Sequence, residues 1–402
     1  MKPTAIIILI LSLIPFSGSW AQIKVSNFDL SFQYKINAPM RGQIISAKKD
    51  TIALLLLKFN APLDSIKKYS ASYSLVNSLE EEITTLVKLK NLASFFQFED
   101  KDGSQFGIKA TVRDYKYLIF WLTDSTKNRV YPYVKLLSRH HEAEDVNLQL
   151  AYLNATIFKP YVLLNSTLKV NSFNPSSDSV KIDFYDYHFS AASPPMSQKK
   201  DSAAVPFSVD HSYLMDNKES ITLREPGLYY FHLVHSDIGR TLIAREGNYP
   251  KFTEIDRLVE SLRYLETEEE YSKMTTSFNK KQLFDEFWLN NTKSESKARR
   301  AIKEYYKRVR DANYLFTSYK EGWKTDMGMI YIIFGAPSKV FIQDDGIMWI
   351  YNKTFELPRV AFFFNHINTA FTDEYYVLVR KAEFQNLWFR TIDLWRTGKK
   401  EF

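Results

Sequence analysis

The sequence predicts a multidomain β plus α+β chain: two β-sandwich (Ig-like) domains over 22–157 and 158–250, then an α+β domain over 251–402. Three observations predict it. Up to about Asn248, apolar residues alternate or form short runs between turn residues, the pattern of short strands at regular spacing. At Pro250 the period changes to that of a helix. After Gly322 the strand pattern returns, and helices followed by strands read as a compact α+β domain.

In the first domain the predicted strands are Thr51 to Phe59, Tyr69 to Leu75, Ile83 to Leu89, Phe106 to Val112 and Tyr117 to Leu122. Turn signals divide them at Asn60-Ala61-Pro62, Asp100-Lys101-Asp102-Gly103, and Asp124-Ser125 with Lys127-Asn128. Leu54 to Leu57 is too short for a membrane span and fits a buried strand. The second domain offers Tyr161 to Val170, Val180 to Tyr187 and Gly227 to Val234, interrupted by a polar loop from Ser193 to Pro206.

Beyond Pro250, Ile255, Leu258, Val259, Leu262 and Leu265 recur at helical spacing, with Thr253 and Asp256 placed as a capping pair. Thr267 and Glu270 offer a second cap, and Leu283, Phe284, Phe287 and Trp288 form another apolar face. A long helix is expected from Ser294 to Tyr319, striped by Ile302, Tyr305, Val309, Ala312 and Phe316. The strands expected after Gly322 are Met329 to Phe334, Ile347 to Tyr351, Val360 to Phe364 and Tyr375 to Val379.

Residues 1–21 carry the three parts of a secretory signal: Lys2, the apolar run Ala5 to Leu11, and small residues before Gln22. Cleavage is expected after Ala21, leaving no transmembrane segment. The chain has no cysteine, which excludes thiol catalysis, disulfides, thiolate metal sites and a lipid-bearing cysteine. Its formal charge is +7. The cations are scattered, and those at 297–303 sit beside Glu295 and Glu304 as on a solvated helix face. Nucleic acid is a poor partner for an exported chain; a weakly basic surface suits anionic glycans or lipid headgroups.

Gly322-Trp323-Lys324-Thr325-Asp326, followed by an apolar run and the turn Gly335-Ala336-Pro337, resembles the signature of the GWxTD domain. Phe287-Trp288, Glu304-Tyr305-Tyr306, Ala312-Asn313, Phe316, Trp349 and Tyr351 extend the resemblance over roughly eighty residues. It departs in small ways, with Met327 where a basic residue is common and Ala336 where a second proline is common. The resemblance implies a secreted or envelope protein of Gram-negative bacteria and carries over no reaction. Its structural signature maps to Gly322, Trp323, Thr325, Asp326, Tyr331, Gly335, Pro337 and Trp349.

Read as structure, Gly322 ends the long helix with a positive φ, Trp323 covers the helix–sheet junction, and Thr325 and Asp326 fix the turn into a strand. Read as function, Asp326 is a buried acid or ligand beside Tyr331 and Trp349, although a catalytic carboxylate needs a partner. No catalytic, cofactor-binding or metal residues are assigned. His140-His141 lie in a polar stretch without ligand spacing, and His232 and His235 point to opposite faces of a strand. HExxH, a Walker loop, GxGxxG and GxSxG are absent. Asp100 to Gly103 lacks the remaining oxygens of a calcium loop.

Five triplets fit Asp-Ser/Thr-small-or-aliphatic, starting at Asp50, Asp64, Asp124, Asp178 and Asp201. They resemble an O-glycosylation acceptor pattern of some Gram-negative bacteria, and equally fit ordinary turn composition. The expected function is a non-enzymatic binding or scaffold protein, exported to the periplasm or outer membrane and working in an envelope protein complex. The alternative is a hydrolase acting on envelope glycan or peptide through Asp326.

Overall fold

The computed structural model describes residues 23–399 except 39, 50, 138–145, 173–178, 187, 199–207, 217–218, 236–238 and 356. The signal segment and His140-His141 therefore lie outside the described residues, as do residues 199–206 of the loop expected from Ser193 to Pro206. Contacts divide the chain into two compact units. One holds the described residues of Met1–Phe32, Ala38–Glu142 and Ile342–Asp344; the other holds Gln33–Asn37, Ala143–Phe341 and Asp345–Phe402. Among the described residues no helix is long and apolar enough to cross a membrane.

The first unit contains β1 (Gly42–Lys49), β2 (Ile52–Phe59), α1 (Leu63–Ile66), β3 (Ser70–Val76), β4 (Val87–Leu89), β5 (Phe96–Asp100), β6 (Gly103–Thr111), β7 (Tyr117–Asp124) and β8 (Arg129–Leu136). They form two antiparallel four-stranded sheets, β1-β2-β6-β5 and β4-β3-β7-β8. Phe59 joins the sheets, lying 6.0 Å from both Phe106 and Phe120 and 5.1 Å from Tyr133. Strand β7 is apolar at every position from Tyr117 to Leu122 because both its faces are covered. Phe120 meets Phe59, while Tyr117, Ile119 and Trp121 pack with Val25 and Leu79. Asp100 to Gly103 is the two-residue hairpin joining β5 and β6.

The second unit begins with β9 (Val146–Leu150), β10 (Ala155–Thr156), β11 (Tyr161–Leu163), β12 (Thr167–Ser172), β13 (Val180–Tyr185), β14 (His211–Met215), β15 (Ser220–Thr222), β16 (Gly227–Leu233) and β17 (Gly239–Arg245). One sheet runs β10-β9-β12-β15 and the other β11-β17-β16-β13-β14, with β11 parallel to β17. Leu148, Leu168 and Val170 of the first pack against Ile182, Tyr229, Phe231 and Leu242 of the second. The single strand expected from Tyr161 to Val170 is two strands, because Asn165 takes a left-handed φ of 64° and turns the chain.

Helices α2 (Ile255–Ser261), α3 (Glu268–Thr276), α4 (Lys280–Thr292) and α5 (Glu295–Phe316) follow. The Thr267–Glu270 capping box forms at α3. The expected Thr253–Asp256 cap does not form. Glu254 folds back onto the Thr253 hydroxyl at 2.8 Å, and Asp256 pairs with Lys280.

The largest correction concerns Met329 to Phe334, which is not a strand but the body of helix α6 (Asp326–Phe334). A short, uniformly apolar run suits a fully buried helix as well as a buried strand, and here the ends decide. Thr325 caps the N-terminus by accepting from the Gly328 amide at 2.9 Å. At the other end Arg308 donates to the carbonyls of Ile332 and Ile333 at 3.2 and 3.3 Å. Strands β18 (Lys339–Gln343), β19 (Gly346–Tyr351), β20 (Val360–His366) and β21 (Tyr376–Leu378) form the last sheet, and α7 (Phe384–Arg396) closes the described chain.

Candidate functional site

The signature residues do not share one surface; they form the buried joint between α5, α6 and the last sheet. Helix α5 stops at Phe316, so Gly322 is not its end cap, and its φ lies outside the left-handed region. The glycine is needed for close approach instead. A Cβ there would lie 2.1 Å from the Ala312 carbonyl oxygen on α5, and a Cβ on Gly328 would lie 1.8 Å from the Gly322 oxygen. The backbone thus passes between α5 and the first turn of α6 with no room for side chains.

Asn313, fully buried on α5, fixes this crossing. Its Oδ1 accepts from the Trp323 amide at 3.0 Å, and its Nδ2 donates to the Pro250 carbonyl at 3.1 Å. The Trp323 ring meets Tyr264 edge-on at 6.1 Å, and its Nε1 donates to Glu321 at 3.2 Å. Its neighbours named here lie before α3 and beside α5, so it seals a contact among helices rather than the expected helix–sheet junction. Thr325 spans the turn, its hydroxyl donating to Gly322 at 2.7 Å while accepting from Gly328.

Two buried carboxylates carry the electrostatics. Asp326 reaches 52 residues along the chain, accepting from the Leu378 amide at 2.8 Å and from Arg380 at 2.6 and 3.3 Å. Leu378 belongs to the edge strand β21, so the carboxylate pairs a backbone amide that the sheet leaves unpaired. Arg380 continues to the Ser193 carbonyl at 3.2 Å, tying the joint to the loop after β13. Asp326 thus makes a long-range ion pair that the expected local turn reading did not include.

Glu321 is the second carboxylate, and its side chain is 1% exposed. It accepts from Arg245 Nε at 3.0 Å, from Arg257 and from Trp323, with Lys324 at 3.4 Å. Burial pushes its pKa up, but Arg245, Arg257 and Lys324 outweigh burial and hold the carboxyl below the usual range. Glu260 completes the network through Arg257 and Lys324, each at 2.7 Å.

The remaining signature residues lie at the far end of α6. Trp349, 0% exposed, contacts Tyr34, Phe316 and Phe364, and Tyr331 meets Phe316 at 5.5 Å. Gly335 caps α6 with a φ of +90°, and its carbonyl accepts from Tyr351 at 2.8 Å. Buried Pro337 leads into β18. Tyr331 and Trp349 thus share the Phe316 cluster, while the bonds of Asp326 run to β21 and Arg380.

Sequence reasoning missed Glu321, Gly328 and Arg380; Asn313 entered only as part of the resemblance, without a role. Gly328 had a readable signal, being a glycine three residues after a cap residue. Arg380 had none, since nothing in its neighbourhood marks it as the partner of a residue 54 positions away.

One further cluster combines serine, aspartate and histidine. Asp183 accepts from Ser212 at 2.5 Å and from Lys181 at 2.9 Å, and its other oxygen lies 2.9 Å from His232 Nε2. The carboxylate, not the imidazole, meets the hydroxyl, so this is not the order that activates a serine. Burial raises the Asp183 pKa, but the bonds from Ser212, Lys181 and His232 outweigh it and leave it lowered. Among the described residues no group of three or more His, Asp or Glu side chains is placed to hold a metal ion.

Residues 227–397 match the family model described as the GWxTD domain, so the chain is a GWxTD domain-containing protein. The match begins with β16 and therefore includes the last two strands before the helical period. No curated protein matches the chain.

Proposed function

We propose that this chain is an exported, non-enzymatic binding or scaffold protein of the bacterial envelope, a subunit of a periplasmic or outer-membrane-associated assembly. In this reading the chain before Pro250 forms two β-sandwich modules of Ig-like type, the second sharing β16 and β17 with the GWxTD match. The observation that carries the proposal is the engagement of the two buried carboxylates of the joint. Asp326 is held by Arg380 and the Leu378 amide, and Glu321 by Arg245, Arg257 and Trp323. A general acid or base must be able to exchange a proton with a substrate, whereas these groups fasten elements together.

Binding then falls to the surfaces. Strand β14 pairs with β13 and ends its sheet, and Leu214 on it is 69% exposed. Such an edge can accept an added strand from a partner. Anionic glycan or headgroup contacts are a second means of attachment, given the formal charge of +7.

Gentle detergent extraction followed by native gel analysis tests the proposal. The expected result is migration in an assembly heavier than the chain alone. Migration only as a free monomer, together with turnover of envelope glycan or peptide that Asp326→Asn abolishes without unfolding, would overturn it.

A further inference from the structure

Glu266 sits in the link between α2 and α3, and both its carboxyl oxygens are sealed from solvent without a hydrogen-bond partner among the described residues. The surrounding donors are committed elsewhere. From α5, Tyr305 donates to the Ser261 carbonyl at 2.7 Å and Tyr306 to that of Leu258 at 2.8 Å. From α7, Arg396 grips both oxygens of Glu270 at 2.7 Å, the Leu265 carbonyl at 2.9 Å and Asn291 at 3.1 Å. Arg263 pairs with Glu268, and Tyr271 of α3 feels the charge of Glu266 as well.

A bare carboxylate in such a place lacks both water and donors. Burial first, and then Glu270 four residues on in α3, push the Glu266 carboxyl up to about 8; Arg263 and Arg396 offset this only in part. Arg396 fastens α7 to both α3, through Glu270, and α4, through Asn291.

We propose that Glu266 is a proton-holding switch in the helical layer: neutral while α3, α5 and α7 close around it, and drawing Arg396 off Glu270 once its proton is released to solvent. The sign of the pH dependence follows from a folded-state pKa above the unfolded one. The stability that the proton confers is complete below the ordinary glutamate range and is lost as pH rises towards about 8. Above that, the group contributes no further slope and the ionised, loosened state prevails.

The test compares the mature wild-type chain with Glu266→Gln, a neutral near-isostere, from about pH 5 to about pH 9. Wild type should lose melting temperature up to about pH 8 and then level off; the variant should lack that fall and melt higher near neutrality. Infrared difference spectroscopy should show a protonated carboxyl band in wild type at neutral pH, lost on passing about pH 8 and missing from Glu266→Gln. Hydrogen exchange in α7 should rise over the same range in wild type alone, beyond the intrinsic pH effect. Equal slopes in both proteins, absence of the carboxyl band, or α7 protection that ignores the proton would each overturn the proposal. If Glu266→Gln does not fold, the band and the exchange profile of wild type decide.

Discussion

At the scale of single residues, the signature positions make different demands on the fold. Trp323 is 1% exposed and supplies volume, with its indole N–H bound to Glu321. Asp326 supplies a charge, and its partner Arg380 is only 10% exposed. Truncating Trp323 to alanine should cost about 3–5 kcal/mol, as large core deletions do. Asp326→Ala should cost a similar ~3–5 kcal/mol, because it leaves a buried guanidinium without its counter-charge and the Leu378 amide without its acceptor. Denaturant titration checks both, and a small loss for Asp326→Ala would mean that Arg380 finds water instead. That expectation reverses the local-turn reading, in which loss of Asp326 weakens only neighbouring bonds.

Helix α6 shows at the scale of elements what the sequence could and could not express. Its nine residues are nearly all apolar and nearly all buried, so no amphipathic stripe exists to reveal a period. The decisive contacts, Thr325 at one end and Arg308 at the other, are respectively local and remote. Only the local one was available for reading. The Thr267–Glu270 box, by contrast, is entirely local and forms as its spacing predicts. Strand β2 was legible because its apolar run to Phe59 ends at the turn residues Asn60-Ala61-Pro62, and β7 because its apolar run ends at Asp124-Ser125. Strands β1, β8 and β17 were missed since their pairing with β2, β7 and β16 overrides weak local patterns. Replacing Thr325 by alanine removes both the Gly328 cap and the bond to Gly322, and should cost about 1–2 kcal/mol. Because α6 packs on α5 and β21, the loss should appear as a lower melting temperature of the whole domain rather than as fraying. Circular dichroism melting of Thr325→Ala against Thr325→Ser, which keeps the hydroxyl, distinguishes the cap from the methyl group.

At the scale of the whole molecule, export and modification can be argued from where the acceptor-like triplets fall. Thr51 lies exposed in the turn between β1 and β2, and Ser125 lies exposed in the turn between β7 and β8. Asp124 shapes that second turn by accepting from the Thr126 amide at 3.0 Å and the Lys127 amide at 3.2 Å, which leaves Ser125 outside the bonding. Ser65 is half-buried within α1, and Ser179 is half-buried just before β13. Asp201-Ser202 falls outside the described residues. A transferase needs a hydroxyl it can reach without unfolding a helix or prising a strand from its neighbour. If the pattern is read by such an enzyme, Thr51 and Ser125 should carry glycan first, with Ser65 and Ser179 bare. The exported protein should also begin at Gln22 after removal of residues 1–21. Intact-mass and peptide mass spectrometry of protein from its native host checks both points together. A mass equal to the unmodified chain from Gln22 would leave the triplets as turn composition, and an intact Met1 on cytosolic protein would remove the export reading on which the envelope role depends.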